Sequence, residues 1–235
     1  MKRQERHRTI QSALVIGSSL LHKAWLFLLL VFIIVACEPW NETADVSHVS
    51  EFPEFELEGE GFESFVTEDS AEYTDKGARA FANDMELLVY SQGRVDLSIP
   101  GVYTIQYFAQ NEDGIWGTAE RIVAVTYQDV TANDLSGHYT SSGFGQEAEM
   151  KLVKTHPQGL YTCNDIMGYP DAEMKGKLVD LGNHTLVLVH GEGDFGSWAD
   201  REGEYTLSSL AWTLALLDEP YQGVEVDIVW QKKLD

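Results

Sequence analysis

Residues 102–109 alternate cleanly: Val102, Thr104, Gln106 and Phe108 fall on one face of an extended chain, and Tyr103, Ile105, Tyr107 and Ala109 on the other. A period of two predicts a strand with one face in a core. Asn111-Glu112-Asp113-Gly114 supplies turn-forming residues, and the run Ile122 to Tyr127 returns as the hairpin partner. Pro100-Gly101 re-aims the chain into the first of these two strands. Shorter β-branched and aromatic runs at 55–57, 63–69, 94–99 and 120–128, separated by Gly, Pro, Asn and Asp, predict the remaining strands of a first module over 51–128.

A second patterned region, 129–235, opens after "YQDVTAND". Its expected strands are "HYTSS", "EAEMKLVKT", "GLYTCND", "MKGKLVDLGNHTLVLVHG", "EYTLSSLAWTLALL" and "GVEVDIVWQKK". Thr185 to Val189 is nearly continuous in apolar residues, Leu186 and Leu188 alternating against Val187 and Val189, with Gly182-Asn183 as the turn before it. Leucines at 207, 210, 214 and 217 also fit a helical period, but Thr206, Ser208, Thr213 and the neighbouring strands favour a strand. The expected fold class is all-β: a β-sandwich followed by an antiparallel β-sandwich or barrel-like domain.

The first 50 residues read differently. Lys2, Arg3, Arg6, Arg8 and Lys23 precede a 13-residue apolar run from Ala24 to Ala36, which ends at Cys37. That length suits the core of a signal peptide and falls short of the about 20 residues a spanning helix needs. A membrane anchor starting near Ser12 is the alternative, interrupted by Ser18-Ser19 and Lys23. Ile34-Val35-Ala36-Cys37 resembles the lipobox of bacterial lipoproteins, in which the cysteine is acylated and becomes the new N-terminus. The resemblance implies a leader over 1–36, a lipidated Cys37 and a polar tether over 37–50.

Charge then narrows the partners. The leader holds five of the 16 basic residues and one of the 38 acidic ones, so the chain from Cys37 has 11 basic against 37 acidic, a net charge of −26. So acidic a surface repels phosphate backbones and argues against nucleic acid. With Cys37 lipidated, Cys163 has no intrachain partner and reads as a buried small hydrophobe.

Two family resemblances follow from quoted motifs. "AEYTDKGARAFAND" (71–84) followed by "SIPGVYTIQYFAQNEDGIWGTAERIVAVTY" resembles the bacterial surface immunoglobulin-like repeat, with Tyr73 and Tyr107 as core aromatics and Gly77 at a turn. Ile105 and Asn111 are small departures from its pattern. "DLSG-Y" (Asp134 to Tyr139), Met150 to Lys154, Gly159 to Tyr161 and Asp165 to Tyr169 resemble the C-terminal β-domain of two-domain Bacteroidota surface lipoproteins. Those proteins are typically found with SusC/SusD-type outer-membrane importers. The resemblance implies a protein anchored to the outer membrane through Cys37, exposed on the cell surface, that helps an importer take up peptides or glycans. A spacer or docking subunit without a ligand of its own is the alternative, followed by a carboxylate-dependent hydrolase, whose two carboxylates would have to meet at the right distance in three dimensions.

Candidate chemistry concentrates in loops. "HGEGDFGSWADREGEY" (190–205) gathers Glu192, Asp194 and Asp200 with Phe195 and Trp198 in a Gly-rich stretch expected to form an exposed hairpin loop. Carboxylates on a flexible loop suit Ca²⁺, but the spacing does not match the twelve-residue calcium loop. No metal or other cofactor is therefore expected, with Glu192, Asp194 and Asp200 as weak candidate ligands. Trp198 beside Gly and Asp reads as an aromatic platform for sugars or peptide side chains, with Phe195, Tyr169 in the loop 163–176, and Trp116 at a hairpin tip as further ligand candidates. Trp212 and Trp230 lie within strand-like runs and are expected in a core. No H-E-x-x-H, G-x-S-x-G, P-loop or dinucleotide fingerprint is present, so the expectation is a protein that is not an enzyme.

Overall fold

The structure is a computed structural model that describes residues 50–68, 71–170, 172 and 174–233. The expected leader, Cys37 and the expected tether up to residue 49 lie outside the described residues. Among the described residues all regular structure is strand, in keeping with the all-β expectation. The first seven strands are β1 (Glu54–Leu57), β2 (Phe62–Val66), β3 (Ala78–Ala82), β4 (Met85–Leu87), β5 (Val89–Gln92), β6 (Gly101–Gln110) and β7 (Trp116–Thr126). They form two sheets, β1-β3-β4 and β2-β7-β6-β5, with β2 parallel to β7.

The β6–β7 hairpin pairs from Gly101↔Val125 to Gln110↔Trp116, and the alternation along β6 puts Ile105, Tyr107 and Ala109 in the core. Two residues with left-handed φ, Asn83 and Asp84, join β3 to β4, the geometry a tight two-residue hairpin needs. Residues 94–99, expected as a strand, are not one. Asp96 Oδ1 accepts from the Ser98 backbone N–H (3.0 Å) and hydroxyl (2.6 Å), and this local turn wins over the ladder while still burying Leu97. The strand β3 escapes the pattern because three alanines and an arginine fill four of its five positions, and β4 and β5 because they are only three and four residues long.

Arg121 on β7 explains the motif residues of the first module. Its guanidinium is fully buried, yet it pairs with Asp75 and donates to the carbonyls of Glu58 (2.7 Å), Glu60 (3.0 Å) and Gly77 (3.1 Å). Asp75 also accepts from the Tyr107 hydroxyl at 2.7 Å, and the half-buried Tyr73 donates to Glu63 at 3.2 Å. A buried charge is tolerated when every donor is met in this way.

The second module is built from β8 (Gly137–Ser141), β9 (Ala148–His156), β10 (Leu160–Cys163), β11 (Gly176–Gly182), β12 (Thr185–Leu188), β13 (Gly191–Gly193), β14 (Gly196–Trp198), β15 (Arg201–Tyr205), β16 (Ser209–Ala215) and β17 (Glu225–Lys232). Eight of these close an antiparallel barrel in the order β8-β9-β10-β11-β12-β15-β16-β17, with β17 returning to β8 through Gln231↔Thr140 and Lys232↔Tyr139. Side chains fill the interior, among them Tyr161, Met150, Trp212 and Trp230, as an eight-stranded barrel allows. The segment with leucines at helical spacing is strand β16.

The segment 190–205 is only partly the exposed loop expected. β13 and β14 form a two-stranded ribbon, but Arg201–Tyr205 is a wall strand paired with both β12 and β16. Its sequence hides this because Glu202 and Glu204 face outward, Arg201 is exposed at the end of the strand, and glycine occupies the inward position 203, where a Cβ would meet the Ala211 carbonyl at 2.4 Å. The turn into β12 is centred on Asn183 and His184 (φ 50° and 63°), one residue later than expected.

The apolar run Thr185 to Val189 is buried on both sides. Leu186 and Leu188 enter the barrel interior, whereas Val187 and Val189 join Val179 and Leu181 on the outer wall. There they pack against Phe62, Ile122 and Ala124 of the β2–β7 face of the first module. The Tyr127 N–H donates to the Leu181 carbonyl at 2.7 Å across the same contact. A strand apolar on both faces is what burial between two layers requires, and each such side chain contributes about 1.5–3 kcal/mol on removal from water.

Candidate functional site

In an up-and-down barrel every second connection reaches the same end. The connections after β8, β10, β12 and β16 therefore share one mouth, and each brings one aromatic ring. Phe144 and Tyr169 meet edge-to-face with centroids 5.2 Å apart, Tyr169 and Phe195 at 5.1 Å, and Phe195 and Tyr221 at 5.2 Å. Phe144 and Phe195 are half-buried on the barrel core, while Tyr169 and Tyr221 are 43% and 39% exposed. The result is a continuous row of four rings with apolar feet and solvent-facing tops.

Three of the rings sit on loops held by local hydrogen bonds. Asp165 Oδ1 accepts the backbone N–H groups of Met167 and Gly168, both at 2.9 Å, which folds the chain just before Tyr169. Burial pushes the Asp165 carboxyl up despite those two hydrogen bonds. Ile166 and Met167 point into the core, the Ile166 carbonyl accepts the Trp212 indole N–H at 3.0 Å, and Gly168 (φ 74°) lies against the Trp230 ring. Any Cβ at Gly168 would both strain the backbone and crowd that indole. On the other side, Asp218 Oδ2 accepts from the Ser197 hydroxyl and backbone N–H, both at 2.7 Å, stapling the ribbon to the β16–β17 loop. Those hydrogen bonds hold the Asp218 carboxyl below its usual range, and the staple sets Phe195 against Tyr221.

Two of the four ligand candidates therefore lie in one constellation: Tyr169 and Phe195 touch. Trp198 is not the exposed platform expected. It is 2% exposed, its Nε1–H donates to the Val189 carbonyl at 2.8 Å, and it belongs to the barrel core. The physical reason is the ribbon pairing Gly191↔Trp198: Gly191 has no side chain and its backbone lies flat on the indole. Trp116 is 54% exposed but sits at the start of β7 in the first module, and the ring contacts of the row do not include it. Phe144 and Tyr221 were not anticipated. The available signal was a lone aromatic in each Gly- or Pro-rich turn, "SSGFGQ" and "DEPYQG".

Among the weak metal candidates, Glu192 and Asp194 lie on the ribbon. Asp200 is committed to His190, accepting its backbone N–H at 2.6 Å and facing its Nδ1 at 3.0 Å. No group of three or more His, Cys, Asp or Glu side chains converges among the described residues. Cys163 is buried, and burial pushes its thiol up to about 12. Trp212 and Trp230 are both core residues.

Comparison with known proteins addresses the first module. Residues 55–125 match the family of the bacterial surface protein, Ig-like domain. The match thus spans β1 to β7 but for Glu54 at one end and Thr126 at the other, and its fold is the pair of sheets described above. The comparison with curated proteins returns no match. Among solved structures, the lipoprotein BT2262 from Bacteroides thetaiotaomicron is 23% identical to this chain, covers 77% of it and 100% of its own length, and has a TM-score of 0.34. That similarity is too remote in three dimensions to bear on arrangement or function.

Proposed function

We propose that this protein is a non-catalytic, lipid-anchored surface protein that captures sugars or peptides at the mouth of its C-terminal barrel. The row Phe144–Tyr169–Phe195–Tyr221 carries the proposal. Rings with exposed faces and edges contact the apolar faces of sugars or apolar peptide side chains, and here a closed barrel holds them in place, which lowers the ordering cost of binding. The lipobox-like Ile34-Val35-Ala36-Cys37 and the match of residues 55–125 to a bacterial surface domain support a position at the cell surface. The motif resemblance described above favours an outer-membrane accessory of a SusC/SusD-type importer. Tethering would then raise the local concentration of a weakly held ligand beside the transporter.

Glycan and peptide arrays probed with wild type and with Tyr169→Ala test the binding reading. A hit lost in the variant supports it, and equal binding by the two proteins refutes the row as the site. Fractionation of cells carrying Cys37→Ser tests the anchor, with the variant expected to leave the membrane fraction. A second reading, a docking subunit without a ligand, draws on Leu88 (70% exposed) and Tyr90 (55% exposed) at the open edge strand β5. Pulldown of the intact protein from its native membrane, comparing wild type with Tyr90→Ala, separates the two readings.

A further inference from the structure

The outer wall of the barrel carries a second recess that the ring row does not use. Outward positions of β9, β10 and β11 form one side, with Lys151, Val153, Thr162 and Lys177, and the β13–β14 ribbon forms the other, with Gly191 and Glu192. The groove encloses about 1190 Å³, at or above the size of ordinary small-molecule sites. Val153 and Leu217, 40% and 44% exposed, give it an apolar floor.

Its charge is out of keeping with the rest of the molecule. Three of the 11 basic residues that follow Cys37, namely Lys151, Lys175 and Lys177, line this one groove, against the two glutamates Glu120 and Glu192. One of those glutamates is engaged: Glu120 faces Lys177 Nζ at 3.7 Å and His190 Nε2 at 2.9 Å. In a chain with a net charge of −26 from Cys37 onward, an apolar recess lined by Lys151, an exposed ammonium that makes no ion pair among the described residues, and by Lys177, shared with Glu120, favours an anion. Glutamates on the same walls disfavour a dianion such as phosphate, and lysines act as point charges without the planar fork that arginine offers to phosphate or paired oxygens. A single carboxylate on an elongated body with apolar faces matches both features.

We propose that this groove is a second binding site, separate from the ring row, for carboxylate-bearing small ligands. Val153 and Leu217 contact the body of the ligand while Lys151 and Lys177 hold the carboxylate. Two sources offer that chemistry, an acidic sugar and the carboxyl end of a short peptide. The probes are trigalacturonate against its methyl ester, trialanine against trialanine amide, and inorganic phosphate, each titrated calorimetrically into the full chain.

One of the acids is expected to bind at least about tenfold more tightly than its neutral counterpart, as the loss of a charge-assisted hydrogen bond implies. Whichever acid does so identifies the source. Lys151→Gln, at an exposed position, is expected to weaken that acid about tenfold and leave the neutral probe unchanged, and Val153→Asp is expected to abolish its binding. Arg94→Gln, the same charge change on the Ig-like domain, serves as the control. The proposal is overturned if neither acid binds below about 10 mM, a floor of weak affinity. It is also overturned if the ester and amide bind equally well, if phosphate binds more tightly than both acids, or if Lys151→Gln has no effect.

Discussion

The rings of Tyr169 and Phe195 stand edge-to-face with centroids 5.1 Å apart, one from the β10–β11 connection and the other from the tip of the β13–β14 ribbon. If this contact is the centre of a ligand site, Tyr169→Ala separates binding from folding. Tyr169 is 43% exposed, so the unfolding free energy should change by less than about 1 kcal/mol, as for a surface substitution that leaves the core intact. Affinity for an array-identified ligand should fall about tenfold, the scale of one lost ring contact. Chemical denaturation and calorimetric titration of the same preparation check both halves.

Asp165 gives a prediction of the opposite kind. Its carboxylate meets two buried N–H groups, so Asp165→Ala should destabilise the fold by about 1–3 kcal/mol through unsatisfied donors. Tyr169 should lose its fixed position at the same time. Hydrogen exchange at Met167 and Gly168 is the direct readout, and unchanged protection there would remove Asp165 from its positioning role.

Arg121 should be the costliest single position in the Ig-like domain. Arg121→Met strands Asp75 and three backbone carbonyls inside the fold, and breaking a buried pair from one side typically costs about 3–5 kcal/mol. Arg121→Lys should recover little, because one ammonium cannot reach acceptors spread around a planar fork. Equilibrium urea unfolding measures both variants.

His190 links the domains through Glu120 of β7 (2.9 Å) and Asp200 (3.0 Å). Burial disfavours its charged form, but hydrogen bonds and charge from Glu120 and Asp200 outweigh burial and raise its pKa. A folded value above the unfolded one means the stabilisation is complete below about pH 6.5 and fades as pH rises through the higher folded value. Wild type should therefore lose stability across that window relative to His190→Gln. Thermal unfolding of both proteins from pH 5 to 9 tests this, and parallel profiles would exclude the linkage.

Cys163 should be chemically silent. With its thiol pushed up to about 12 by burial, it carries almost no thiolate at neutral pH, and a thiol-specific reagent should label it only after unfolding. Rapid labelling of the native protein would contradict the packing described here.

Much of the architecture is written in local pattern. Alternation along 102–109 specifies β6 and its buried face, and the double-sided apolar run Thr185 to Val189 already demands burial between two layers. Asp96-Leu97-Ser98 shows the limit of such reading. An apolar-looking segment became a turn because a carboxylate two residues back satisfied its N–H. Arg201–Tyr205 shows the converse, a wall strand disguised by charged outward residues and a single inward glycine.

What the sequence determined by itself was the face each strand residue occupies, the all-β class and the places where the chain must turn, because these follow from backbone geometry within a few residues. Which faces meet was decided only in three dimensions. Barrel closure through Gln231↔Thr140 pairs strands from opposite ends of the domain, and that closure brings four loop aromatics into one row. The ribbon pairing Gly191↔Trp198 turned Trp198 inward, and the pairing of β9, β10 and β11 gathered lysines from separate strands around one groove. A period of two reports on which side a residue lies, but the neighbour on that side is chosen by long-range pairing, and the sites of this protein are made of such neighbours.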